Sequence, residues 1–145
     1  MKKIFFRFLV VVIPIALYSC STKKVITEKP TLFEVLTQQP DGGANIKFFE
    51  ILTEPEEIVM LQNDENLRNK IKPADIDASN FIILNLGEKP TGGFSITIDN
   101  VEELDNIVIV TTKETTPELG AMVTQAIAYP YAIVKINSKK QIVIK

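Results

Sequence analysis

Few side chains in this sequence can do covalent or acid–base chemistry, and the shortage is informative. The chain has no histidine and a single cysteine, Cys20. Without imidazole, the usual general base near neutral pH and the commonest metal ligand are both missing. Ser-His-Asp and Cys-His nucleophiles are excluded, and so are zinc sites. Carboxylate chemistry remains, of the kind glycosidases perform with two acids flanking a bond. The acids fall as Glu56-Glu57, Asp75 with Asp77, and Glu102-Glu103, which read as helix caps and solvated faces. The expectation is a chain that is not an enzyme and holds neither metal nor cofactor.

Cys20 sits in a distinctive context. Lys2, Lys3 and Arg7 lead into an apolar run from Phe8 to Leu17, closed by Leu17-Tyr18-Ser19-Cys20. A basic start followed by a short apolar run is the layout of a secretory signal. The run is about ten residues long, half of what a spanning helix requires, and Pro14 interrupts it. Leu17-Tyr18-Ser19-Cys20 resembles the lipobox of bacterial lipoproteins, with Leu three places before the Cys and a small residue directly before it. Tyr18 is bulkier than the usual occupant of its position. The resemblance implies that residues 1–19 are removed and that Cys20 becomes a lipidated N-terminus holding the protein to a membrane. Several acyl chains make a durable anchor, because each buried methylene contributes about 0.8 kcal/mol. Ser21 stands where an Asp often retains such proteins at the inner membrane. The expectation is therefore the cell envelope, at the outer membrane facing the periplasm or the surface rather than at the inner membrane.

Removing the leader would take away 19 of the 145 residues and three basic charges, leaving 13 Lys and Arg against 18 Asp and Glu, a net charge of −5. An acidic chain without a basic patch repels the phosphate backbone, so nucleic acid is not an expected partner. With no second cysteine, no disulfide can form within the chain.

The elements that would position any functional residue follow from periodicity and breakers. Residues 20–31 are polar and read as a lipidated N-terminus and flexible tether, leaving 32–145 as one globular domain. Short apolar runs at Leu32–Leu36 and Asn45–Leu52 read as strands around the Gln38–Gly43 turn cluster. Thr53-Glu54-Pro55-Glu56 fits a capping box with Thr53 as cap and predicts one helix over Pro55–Asn69, ended by Lys72-Pro73. Phe81–Leu86 is a nearly continuous apolar run and thus a buried strand. Phe94–Ile98 alternates, the mark of a half-buried strand. Ile107–Thr112 is rich in β-branched residues. Tyr131–Ile136 and Gln141–Ile144 are predicted to be joined by a hairpin-like connection at Asn137–Lys140. The fold class expected is α+β: a mostly antiparallel sheet of five to seven strands, curled, barrel or sandwich-like, with one packed helix.

One segment is unusual for plain β structure. Leu86-Gly87-Glu88-Lys89-Pro90-Thr91-Gly92-Gly93-Phe94 opens the alternating strand. Downstream come Pro117, then Val123-Thr124-Gln125-Ala126, then Tyr129-Pro130-Tyr131. Together these resemble the C-terminal domain of PrcB-type protease-complex lipoproteins, over about residues 78–136. In that family a Pro-Thr-Gly-Gly-aromatic block precedes a strand; here Phe94 stands where Tyr is commoner. The resemblance implies a non-catalytic accessory role, in which the protein binds a protein partner and supports a protease or its maturation. Pro90, Thr91, Gly92, Gly93, Phe94, Tyr129 and Tyr131 are the candidate partner-binding residues. Two alternatives stand beside this reading. One is a structural envelope lipoprotein with no protease link, for which the Gly-Gly turn is scaffold and the tyrosines are core. The other is a chagasin-like protease inhibitor, since Pro-Thr-Gly-Gly-Phe also looks like that family's inhibitory loop, although the family's Trp has no counterpart here.

Overall fold

Phe81–Leu86 is apolar but for Asn85 because both of its faces are covered. The computed structural model describes residues 31–145, which form seven strands and two short helices. The strands are β1 (Phe33–Gln39), β2 (Lys47–Leu52), β3 (Asn80–Leu86), β4 (Ser95–Glu103), β5 (Ile107–Thr115), β6 (Tyr131–Ile136) and β7 (Gln141–Ile144). The helices are α1 (Pro55–Leu61) and α2 (Pro73–Ala78). The predicted leader, Cys20 and nearly all of the predicted tether lie outside the described residues.

Two sheets form, a four-stranded one ordered β1-β6-β3-β2 and a three-stranded one ordered β4-β5-β7. All pairings are antiparallel except β5 with β7, which is parallel. The sheets stack face to face and do not close into a barrel. Side chains alternate along each strand, so the faces separate cleanly. Ile82, Leu84 and Leu86 of β3 and Ala132, Val134 and Ile136 of β6 point toward the smaller sheet. There they meet Ile96 and Ile98 of β4, Val108 and Val110 of β5 and Ile142 of β7. Phe81 and Ile133 point the other way, into a second cluster with Leu36, Leu52, Ile58, Leu67 and Ile71. The segment from residue 53 to residue 79 covers that outer face. The α+β class is thus a sandwich of two sheets with a helical cover.

Four expectations are corrected. The helix begins at Pro55 as expected, but its cap lies one position later than predicted: Glu54 is the cap, and Glu57 closes the box, its carboxylate accepting from the Glu54 amide at 3.3 Å. Pro55 at the first helical position sets this register, because its fixed φ suits the first turn and not the cap. The helix also stops at Leu61, and Gln62, Asn63 and Asp64 make i→i−3 amide bonds instead. Asn63, Asp64 and Asn66 favour such turns because their side chains compete for the backbone; Asp64 Oδ1 accepts from the Asn66 amide at 2.8 Å. Leu67 and Ile71 are nevertheless buried, anchored by packing rather than by helix. Lys72-Pro73 starts α2 rather than merely ending α1, with Asp75 accepting from the Lys72 amide at 2.8 Å. Finally, Asn137–Lys140 is no hairpin. β6 has β1 on one side and β3 on the other, so no edge remains for β7, which crosses to the smaller sheet.

The larger sheet has two distinct poles. β3 starts and β6 ends at one of them, where Asn80 pairs with Ile136. The described chain enters there: Asn137 donates to the Thr31 carbonyl at 2.7 Å, and Phe33 pairs with Ile136. At the other pole, about 20 Å away for a seven-residue strand, lie the 40–46 turn, the 87–94 segment and the 116–130 segment.

Candidate functional site

The Pro-Thr-Gly-Gly block lies at this second pole, where the 116–130 segment braces it. Lys89 and Ala128 exchange both backbone hydrogen bonds, at 2.8 and 3.0 Å. The Gly92 amide donates to the Thr124 carbonyl at 3.0 Å. Gly92 is buried, and a Cβ placed there would meet Thr124 Oγ1 at 2.2 Å. Gly93 takes φ +88°, and its Cβ would lie 2.9 Å from Val123 Cγ1 and 3.1 Å from Pro117 Cβ. The two glycines serve different needs: Gly92 lets the opposite segment approach closely, whereas Gly93 turns the chain in the left-handed region before β4.

Around this brace the candidate residues take distinct places. Pro90 is exposed and Thr91 half-buried, with the Thr91 hydroxyl donating to the Gly92 carbonyl at 3.1 Å. Phe94 is half-buried against the inter-sheet core, and the Lys89 ammonium lies 5.7 Å above its ring, within cation–π range. Tyr129 ties three segments together. Its amide donates to Asp41 Oδ1 at 3.0 Å, its carbonyl accepts from the Gly43 amide at 2.9 Å, and its hydroxyl donates to Glu88 Oε2 at 3.2 Å. Desolvation, then the Glu88 carboxylate, pushes the Tyr129 phenol above its ordinary value. Tyr131 is separate from this group. It packs against the outer cluster under the helical cover, where burial, then Asp64, raises its phenol.

The structure thus brings Pro90 to Phe94 and Tyr129 into one braced unit and sends Tyr131 to the sheet's outer face. Asp41, Gly43 and Glu88 complete the unit and were not predicted as site residues. Their signal was the breaker-rich Asp41-Gly42-Gly43 turn, which reads in sequence only as a turn. Beyond the brace, the 116–130 segment turns at Glu118–Ala121, with Gly120 at φ +86° and the Ala121 amide donating to the Glu118 carbonyl at 3.0 Å. Leu119 and Met122 stand fully exposed on it.

Chemically, the unit offers backbone groups, the hydroxyls of Thr91, Thr124 and Tyr129, and apolar surface. Glu88 is engaged by Tyr129 and Lys89 by the Phe94 ring, so no nucleophile stands beside a free base. Among the described residues, no group of three or more His, Cys, Asp or Glu side chains could hold a metal ion, and no helix is long and apolar enough to cross a membrane. The arrangement is a stiff turn whose Pro90 and Thr91 remain at least partly exposed.

No curated protein and no solved structure matches this chain. Residues 80–137, which span β3 to the end of β6 and include the braced turn with most of its partners, match the family described as PrcB C-terminal.

Proposed function

We propose that the protein is a lipid-anchored envelope lipoprotein whose domain is a non-catalytic accessory subunit, binding a protein partner and supporting a protease or its maturation. The observation that carries this reading is polarity. Thr31, the first described residue, lies at one pole of the larger sheet, and the braced turn lies at the other. A domain tethered through Cys20 would hold the turn away from the bilayer, toward partners. The family match supports association with a protease complex. The outer membrane is the proposed location.

The test is a deletion strain complemented by variants. Loss of the chain should leave an exported protease in precursor form, and the full chain should restore its maturation. Cys20→Ala should lose incorporation of a fatty-acid analogue and fail to restore maturation. Unchanged protease processing in the deletion strain would remove the accessory role. Stoichiometric inhibition of a cysteine protease by the purified protein would favour the inhibitor alternative instead.

A further inference from the structure

Four strands stand at sheet edges: β1 and β2 in the larger sheet, β4 and β7 in the smaller. An edge exposes unpaired N–H and C=O groups, and proteins usually blunt it with a bulge, a proline or a short strand. β1 has a register break between Val35 and Thr37, and β4 has one between Ile98 and Asn100. β7 is four residues long. β2 has no such device. Its six residues pair one for one with β3, without a shift and without proline. Its lysine, Lys47, reaches across to Glu114 of β5 and so is drawn off the edge.

The surface beside this edge is concave. A groove of about 440 Å³ is lined by Glu50, Leu52 and Ile83 from the sheet and by Glu57, Met60 and Leu61 from α1. A second hollow of about 330 Å³ is lined by Lys47, Phe48 and Phe49 of the same strand. Met60 is 70% exposed although it faces this groove.

We propose that the free edge of β2 accepts an extended segment of a partner protein as an added strand. Apolar side chains of that segment would fill the groove between β2 and α1, and a cation would sit against Glu50 and Glu57. In strand addition, main-chain hydrogen bonds supply affinity and the pockets for alternate side chains supply selectivity. Every second side chain of the added strand faces the groove, which matches one row of apolar lining with acids beside it. A second copy of this chain is the poorer occupant, because pairing β2 with itself brings the Glu50 and Glu57 rims together. The surface shares no residue with the braced turn and does not depend on the role proposed for it.

The full chain, purified in detergent, is titrated with a blocked peptide of about seven residues in which Thr alternates with Leu, Lys and Leu on one face. The expected result is saturable binding, with amide shifts confined to Lys47–Leu52 and Pro55–Leu61. Methylating the peptide amides should abolish binding. Replacing the peptide Lys by Glu, or introducing Met60→Lys, should weaken it about tenfold; Met60 is exposed enough that the variant keeps the wild-type melting temperature. Absence of binding, shifts centred elsewhere, or binding that survives amide methylation would each overturn the proposal. Concentration-dependent self-association through Lys47–Leu52 would overturn it as well, by giving the edge to a second copy.

Discussion

Gly93 and Gly120 hold nearly the same backbone conformation, at φ +88° and +86°, in two turns of one loop system. Around Gly93 the chain is packed: a Cβ would press on Val123 and Pro117, and the neighbouring amide is bonded to Thr124. Around Gly120 a Cβ would meet nothing within 4 Å, and the flanking Leu119 and Met122 are in solvent. One turn is held by its dihedral and by its surroundings, the other by its dihedral and a single turn hydrogen bond. Two glycines of equal conformational demand therefore belong to different energetic regimes, with the stiff turn at the base of the loop system and the unsupported one at its tip.

The comparison can be broken most directly at Gly93. Gly93→Val adds a branched side chain to a left-handed residue and drives it into Val123 and Pro117. The expected loss is about 3 kcal/mol, combining about 1–2 for the conformation with about 1–3 for overpacking. Denaturant titration measures it, and a loss below about 1 kcal/mol would mean that the brace yields freely. Gly92→Ala should cost about 1–2 kcal/mol, since the contact is with a short side chain able to change rotamer. Adding Thr124→Ala should recover at least half of that cost, and a double-mutant cycle reads the coupling. Simple additivity would place the strain elsewhere.

Gly120→Ala isolates the dihedral cost from packing. It should lower stability by about 1 kcal/mol; a loss as large as that of Gly93→Val would erase the distinction between the two turns. Thr91→Ala should cost under about 0.5 kcal/mol, because the Thr91 hydroxyl bonds only to the neighbouring Gly92 carbonyl. A larger loss would make Thr91 part of the brace rather than its presented face.

The smallest expected effect is a pH dependence in the Tyr129 strut. Its phenol is raised by desolvation, then by Glu88, so the folded domain keeps the proton longer than the unfolded chain does. The contribution is full below the unfolded phenol's pKa of about 10 and is lost as pH rises through the folded value. Tyr129→Phe should be less stable than wild type at neutral pH, and the gap should close above about pH 10. Parallel profiles across that range would show that the Glu88 contact contributes nothing.

Much of the molecule was legible in sequence wherever a local rule met no competitor. The nearly continuous apolar run of Phe81–Leu86 marked a strand covered on both faces. The alternation of Phe94–Ile98 marked one with a single buried face, and β4 begins at Ser95 as that pattern requires. The Pro-Thr-Gly-Gly block and its downstream partners were recognisable by their resemblance to a family motif, and the segment predicted to carry the resemblance is the segment that matches the family. Legibility failed where one local rule admitted two outcomes. The Asn137–Lys140 turn residues are compatible with a hairpin or a crossover, and the occupied edges of β6 decide. The apolar spacing of Ile58, Leu67 and Ile71 suits one long helix, but burial of the same three residues is also met by a short helix and turns.

By itself, the sequence determined the chemistry that is impossible, the strands, and the presence of a glycine-rich turn before β4. These follow from residue type and from periods of a few residues, which act within one segment. Only the tertiary structure decided what Gly92 is for, which face Tyr131 occupies, and that Tyr129 links Asp41, Gly43 and Glu88. It also decided that, among the described residues, β2 is the edge strand without a bulge, a proline or a short span. Each of these depends on which segments meet, and partners separated by 30 to 90 residues along the chain are chosen by the burial of two sheet faces at once, a condition no local pattern encodes.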